Sequence, residues 1–242
     1  MKQHINAIVI SIAVIICAAI LAGAWTKSHD KSSQTISVTG SGSKDFTSDL
    51  IVWDCSFSRK SQTIKDAYTL LKIDAGIVKN YLLKKGIPEN QLVFSSINIV
   101  KEFRTEIVGN IRNEVFDGYR LTQNVSIQSN AVANIESVSR TITELIDQGL
   151  ELNSQPPQYF YTKLAALKID LLAKATADAK SRAEQIAKNS GSSLGSLKGA
   201  NMGVFQITAQ NSSEDYTYGG VYNTSSKNKT ASITVKLEFG IK

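Results

Sequence analysis

The sequence predicts an α+β fold: a mainly antiparallel sheet with about three helices packed on one face, preceded by one N-terminal apolar helix. Three observations predict it. Apolar residues recur at helical spacing in three stretches, each followed by a glycine: Gly86, Gly149 and Gly191. Other stretches alternate apolar and polar residues with the period of two that marks a half-buried strand. Strand pairs alternate with single helices in the order ββα-ββα-βα-ββ, which favours hairpins over the parallel strands of a repeated βαβ chain.

In chain order, Lys2 and His4 precede an apolar run from Ala7 to Ala24, interrupted only by Ser11 and Gly23. The run suits either a secretory signal peptide or a single membrane span. Ala22-Gly23-Ala24 fits a small-x-small cleavage site. The length exceeds the roughly 7–15 residues of a signal core and approaches the roughly 17–25 of a span, so an uncleaved anchor is favoured. Residues 1–27 are thus expected to be a signal anchor or signal peptide, 28–34 a tether, and 35–242 one α+β domain.

Thr35 to Ser43 begins as a strand and ends in glycines, and Asp49 to Lys60 places Ile51, Trp53, Cys55 and Phe57 on one face. The two are expected to pair across Lys44–Ser48. Ile64, Ala67, Tyr68, Leu71, Ala75, Val78 and Leu82 form a helical stripe within Ser61 to Lys85, and Pro88 prevents its continuation. Gln91 to Arg104 is expected to be a strand with Val93, Ile97 and Ile99 inward, Glu106 to Asp117 a turn or long hairpin tip, and Tyr119 to Gln128 a strand. A second helix spans Ala131 to Gln148. Leu150 to Tyr161 is extended, but Pro156-Pro157 confine it to an edge or bulge.

The longest regular stretch is Lys163 to Gly191. Leu164, Leu167, Leu171, Ala175, Ala179, Ala183 and Ile186 share one helical face. That face turns from leucine to alanine, so its second half should lie close against a sheet. Lys198 to Gln210 is expected to return as a strand, residues 211–228 to be a mobile loop, and Thr230 to Phe239 to close the chain as a strand with Ile233, Val235, Leu237 and Phe239 inward.

Composition narrows the chemistry. The net charge of +6 is spread through interleaved basic and acidic residues, and no clustered basic face with aromatic partners suggests nucleic acid. His4 and His29 flank the apolar run, so residues 35–242 contain no histidine. That excludes His-based acid–base chemistry there and argues against most transition-metal sites. Cys17 and Cys55 are the two cysteines, and only Cys55 falls within the domain.

Candidate motifs compete with plain structural explanations. Gly40-Ser41-Gly42 follows a strand as a nucleotide loop would, but Asp45 replaces the third glycine and no helix follows at once; a tight turn or bulge explains it better. Glu102, Glu106, Glu114 and Asp117 could surround a calcium ion but match no EF-hand spacing, and lie among Lys101, Arg104 and Arg112. Cys55 reads as a small buried side chain. Tyr216, Tyr218 and Tyr222 could form a contact surface.

The glycine-bearing strand ISVTGSGS, the helix ending LKKGIP, the strand YRLTQNVSI, the stretch KATADAKSRAEQIAKNSGSSLGSL and the terminal ITVKLEF resemble the SIMPL-domain family of bacterial cell-envelope proteins. The resemblance covers about residues 35–241, with Ala173 to Gly195 its most specific part. It implies an α+β fold, no known catalytic residue and, for some members, ring-like oligomers. The expectation is a non-enzymatic cell-envelope protein without cofactor, metal or nucleic acid, acting through self-association or partner binding. It would cross the inner membrane once, with the C-terminal domain in the periplasm. The alternative is a cleaved, soluble periplasmic protein that binds a small ligand or a stress-related partner.

Overall fold

The computed structural model describes residues 15–24, 34–109 and 111–242. Residues 15–24 are helical (α1). The remaining elements are β1 (Thr35–Thr47), β2 (Leu50–Ser61), α2 (Ile64–Lys84), β3 (Leu92–Phe94), β4 (Asn98–Val108), β5 (Ile111–Ser129), α3 (Val132–Thr141), β6 (Glu151–Ser154), β7 (Gln158–Phe160), α4 (Leu164–Asn189), β8 (Leu194–Met202), β9 (Gln206–Ala209) and β10 (Asn228–Ile241). The expected α+β class is therefore observed, with the strands divided between two sheets. The rest of the expected anchor lies outside the described residues. Among the described residues, no helix is long and apolar enough to cross a membrane.

The chain forms two compact units. One comprises residues 1–42, 171–203 and 233–242; the other comprises residues 43–170 and 204–232. The first unit is built on the strand order β1-β10-β8. Ile36, Val38, Gly40 and Gly42 lie on the buried face of β1, and Ile233, Val235, Leu237 and Phe239 on that of β10. Leu171, Ala175, Ala179, Ala183 and Ala187 of α4 are buried. The helix lies almost on the strand backbone: a Cβ added to Gly40 would come within 2.3 Å of the Ala175 carbonyl oxygen, and one on Gly42 within 2.5 Å of the Leu171 oxygen. The glycines serve this close approach rather than the turn or bulge expected of them. Ile186 is half exposed, and Ala187 takes the inward position in the last turn.

β1 pairs with β10, and β2 belongs to the other sheet, so the expected β1–β2 pairing does not occur. β1 continues to Thr47, leaving Ser48 and Asp49 between the strands, and each finds its partner farther along the chain. The single strand expected over Lys198–Gln210 is two. β8 starts at Leu194, and the break falls at Gly203, whose N–H donates to the Thr234 oxygen at 2.9 Å.

In the second unit, β2 is paired antiparallel with β5 on one side and with β6 and β7 on the other. β5 carries β3 and β4 along its far side, also antiparallel. The proline pair separates β6 from β7 at the sheet edge, as expected. The long hairpin is real: β4 and β5 pair from Asn98↔Thr122 to Val108↔Ile111. One sheet face is apolar and covered. Ile51, Trp53, Cys55 and Phe57 of β2 and Leu121, Val125 and Ile127 of β5 pack with Leu71, Val78 and Leu82 of α2 and Ile135 and Val138 of α3. Trp53 keeps its indole satisfied by donating to Ser154 Oγ at 3.1 Å. Val93 and Ile99 are exposed rather than inward, whereas Leu92, Phe94 and Ile97 pack on the core. A strand break at Ser95 interrupts the parity that the sequence suggested. Gly86 and Gly191, with φ of 83° and 72°, follow α2 and α4 as expected, whereas the second helix is α-helical only to Thr141 and continues as a 3₁₀ helix, Ile142–Gln148, which Gly149 ends at φ 81°.

Asp74 is buried on the inner face of α2, where the apolar stripe gave no sign of it. Arg59 of β2 meets it with two bonds, Nη2 to Oδ1 at 2.9 Å and Nε to Oδ2. Removing one partner leaves a buried charge uncompensated. Asp74→Ala should lower stability by about 2–4 kcal/mol, and Arg59→Met/Asp74→Leu should recover much of the loss, as read by denaturant unfolding. The helix–strand contact gives a second expectation. Ala179→Leu should cost about 1–3 kcal/mol by overpacking; a wild-type melting temperature would show that Ala179 has room.

Candidate functional site

β1 ends its sheet, so one of its backbone edges has no strand partner among the described residues. The Gln34 carbonyl accepts from Ile241 N–H at 3.0 Å, whereas the Ser41 N–H turns away from the ladder to the Asp178 carboxylate at 2.8 Å. Odd-numbered residues of this stretch therefore point their backbone groups outward. The open portion is shorter than the Thr35–Ser41 edge suggested by composition, because α4 already occupies the Ser41 donor. Ser41 N–H and then Arg182 hold the Asp178 carboxyl below its ordinary value. Arg182 Nε lies 3.0 Å from both Asp178 oxygens.

Beside this edge runs a groove of about 450 Å³, lined by Val38, Thr39, Ser181, Arg182, Gln185 and Ile186. Its chemistry is mixed: unpaired main-chain groups along β1, an apolar wall at Ile186, and an amide at Gln185. Such an arrangement can accept an extended segment, with backbone bonds giving direction and the apolar wall giving burial. The alanine periodicity pointed to α4, but only the fold reveals that the other side of this contact is a free strand edge.

The acidic residues of the hairpin are drawn to cations rather than to one another. Glu102 accepts from Arg120 Nε at 2.5 Å and lies 3.0 Å from Lys60 Nζ. Asp117 meets Lys60 at 2.5 Å, and Glu106 meets Arg104 at 2.6 Å. Arg120 and then Lys60 hold the Glu102 carboxyl below its ordinary value. Phe103, directly opposite Phe116, stacks edge-on with it at 6.0 Å between centroids.

Cys55 is buried, and burial pushes its thiol up to about 12, which removes thiolate character. The three loop tyrosines separate. Tyr218 is fully exposed, and Tyr216 is exposed with its hydroxyl 3.2 Å from Ser232 Oγ. Tyr222 lies against Phe160 at 6.4 Å and over the Lys229 ammonium at 5.6 Å. The loop is tied to β9 where Ile207 N–H donates to the Val221 oxygen at 2.8 Å and Asn223 N–H to the Ile207 oxygen at 2.8 Å.

Lys229 is the largest departure from sequence expectation. It continues the inward parity of β10 and is 1% exposed, with its ammonium donating to the Tyr159 carbonyl. Burial lowers its pKa to about 8. The unfolded chain, with lysine near about 10.4, then binds more protons than the folded one between these values. Stability should rise with pH from about 8 to about 10.4, by up to about 3 kcal/mol. Lys229→Met should lack the rise in chemical unfolding across that range; a parallel pH profile would assign it to other groups.

No curated protein matches the chain. The family model described as SIMPL, protein of unknown function (DUF541), matches residues 36–239, from the second residue of β1 to the inward phenylalanine of β10. The chain therefore belongs to the SIMPL family.

Proposed function

We propose that the protein is a non-enzymatic cell-envelope protein that works by self-association through the free edge of β1. The observation that carries this reading is the outward-facing backbone of Thr35, Ser37 and Thr39 beside the groove at Ile186. An unpaired edge with small, uncharged side chains is a template for another strand, and from Thr35 to Thr39 it lacks the lysines and prolines that usually blunt one. The other sheet contrasts with it, since Pro156-Pro157 interrupt the edge formed by β6 and β7. A ring-like oligomer is the form this association takes in the proposal, with the β1 edge of each copy meeting a different surface of the next, since β1-to-β1 pairing would close as a dimer.

The place of action is part of the same proposal. The apolar run from Ala7 to Ala24 after Lys2 supports one pass through the inner membrane, with the C-terminal domain in the periplasm.

Light scattering on the full-length protein tests the association. Wild type should run as an oligomer, and a monomer at high concentration would sink the proposal. Thr39→Pro removes an N–H that faces outward, so it leaves the ladder to β10 in place. It should keep the wild-type circular dichroism while lowering the mass. A folded Thr39→Pro protein with unchanged mass would exclude this edge.

A further inference from the structure

The strand order β1-β10-β8 has two ends, and neither β1 nor β8 has a strand along its far edge among the described residues. The two ends are opposites. On β8, Leu197, Ala200 and Met202 stand opposite Phe239, Leu237 and Val235 of β10 and so share their face. The three β10 residues are buried, whereas Leu197 is 52% and Met202 60% exposed. The cover over this face therefore stops short of β8. At β1 the cover continues past the strand: Ser181, Arg182, Gln185 and Ile186 of α4 wall the groove beside the free edge. One end is a strand with apolar side chains and no helix over them. The other is a helix flank with no strand beneath it.

The backbones agree with such a match. Gly203 N–H donates to the Thr234 oxygen at 2.9 Å, so Asn201 and Gly199 also face β10, while Met202 and Ala200 turn their backbone groups outward. β8 is antiparallel to β10. So is β1, since Gln34 before its start meets Ile241, and Thr47 at its end meets Asn228 at 3.1 Å. β1 and β8 therefore run parallel. The bonds of a parallel ladder slant, one residue bonding to the two that flank its opposite number. With Ser37 opposite Asn201, the outward groups of Ser37 meet those of Ala200 and Met202, and Ile36 and Val38 share a face with both. From Gly199 to Met202 the β8 edge is uncharged. Lys198, the lysine that would guard it, reaches over β10 instead: a Cβ on Gly240 would lie 3.2 Å from its Cε.

We propose that the β1 edge of one copy is received by the β8 edge of the next, as a parallel strand pair that seats Leu197, Ala200 and Met202 in the groove at Ile186. This rests on the self-association reading and names the second surface that reading needs. Rotation about an axis along the strands keeps their direction, so each copy makes the same contact with the next and α4 stays on one side throughout. The ladder supplies direction, and burial of the exposed leucine and methionine supplies the drive.

Light scattering on full-length variants, alone and mixed, tests the pairing. Thr39→Pro blocks β1 and leaves β8 intact; Leu197→Asp/Met202→Asp does the reverse. Both aspartates replace side chains already exposed in the subunit, so the wild-type circular dichroism should persist; Ala200→Pro, which removes an outward N–H of β8, takes the place of the pair if it does not. Each variant alone should run as a monomer. Mixed in equal amounts, the two should form a species of two copies and stop there, because only one intact edge of each kind remains. The proposal is overturned if the folded β8 variant keeps the wild-type mass, if it forms a dimer by itself, as β1-to-β1 pairing would give, or if the mixture stays monomeric. With an oligomeric wild type, any of these results removes the β8 edge and leaves self-association standing. A monomeric wild type overturns both.

Discussion

The first unit depends on a contact of backbone against backbone, Gly40 and Gly42 of β1 beneath Ala175 and Ala179 of α4. At Gly40 and Gly42 not even a methyl group fits. A strand this close to a helix brings its outward amides within reach of helical side chains, so Asp178 can take the Ser41 N–H at 2.8 Å. The same closeness draws the β1 edge and the Arg182–Ile186 flank into one groove. A bulkier interface would have separated the edge from the helix. The glycines thus determine both the packing and the surface available for pairing.

The second unit solves a different problem: one apolar sheet face is covered by helices, and some polar groups are carried inside with it. Their solutions form a graded series. Asp74 has a bidentate arginine. Lys229 has only one carbonyl and an aromatic ring, a weaker environment for a charge, and its pKa falls accordingly. The Ser48 hydroxyl has no partner among the described residues. In a close-packed interior, unsatisfied polar groups are few and each calls for a reason. Strain is no explanation for Ser48, because its own N–H makes a good bond to the Lys227 oxygen at 2.9 Å.

Much of this was legible in the sequence, and the failures share a cause. Local period and punctuation identified the three glycine-ended helices, the alternating β10, the proline-broken edge and the alanine face of α4. What escaped was long-range. Nothing near Thr35–Ser43 signals that its partner is β10 at the far end of the chain, and adjacency favoured β2 instead. Val93 and Ile99 were placed inward because a regular alternation was carried across a break at Ser95 that no glycine or proline marks. Asp74 and Lys229 were invisible for the opposite reason. Each sits at an inward position of its element, and period alone assigns such positions to apolar residues. A charged residue on the inward parity of a strand as regular as β10 was the available signal for Lys229. The Ser41–Asp178 bond could not be read at all, since it joins a backbone group to a carboxylate 137 positions away.

The charge pattern bears on how this surface can choose partners. A net charge of +6 would favour anionic partners if it were concentrated. On α4 it is spent locally: Arg182 pairs with Asp178 and Lys180 with Glu184 at helical spacing. Exposed pairs of this kind contribute little to stability, but they flatten the field along the flank of the groove. Attraction at a distance therefore gives little guidance there. Selectivity is left to short-range features: the direction of the β1 ladder, the width set by the alanines, and the apolar contact at Ile186. A surface of this kind recognises the backbone of a neighbour more than its charge. That matches an edge whose own outward side chains are serine and threonine, and it explains why the informative residues of this region are glycine and alanine rather than its lysines.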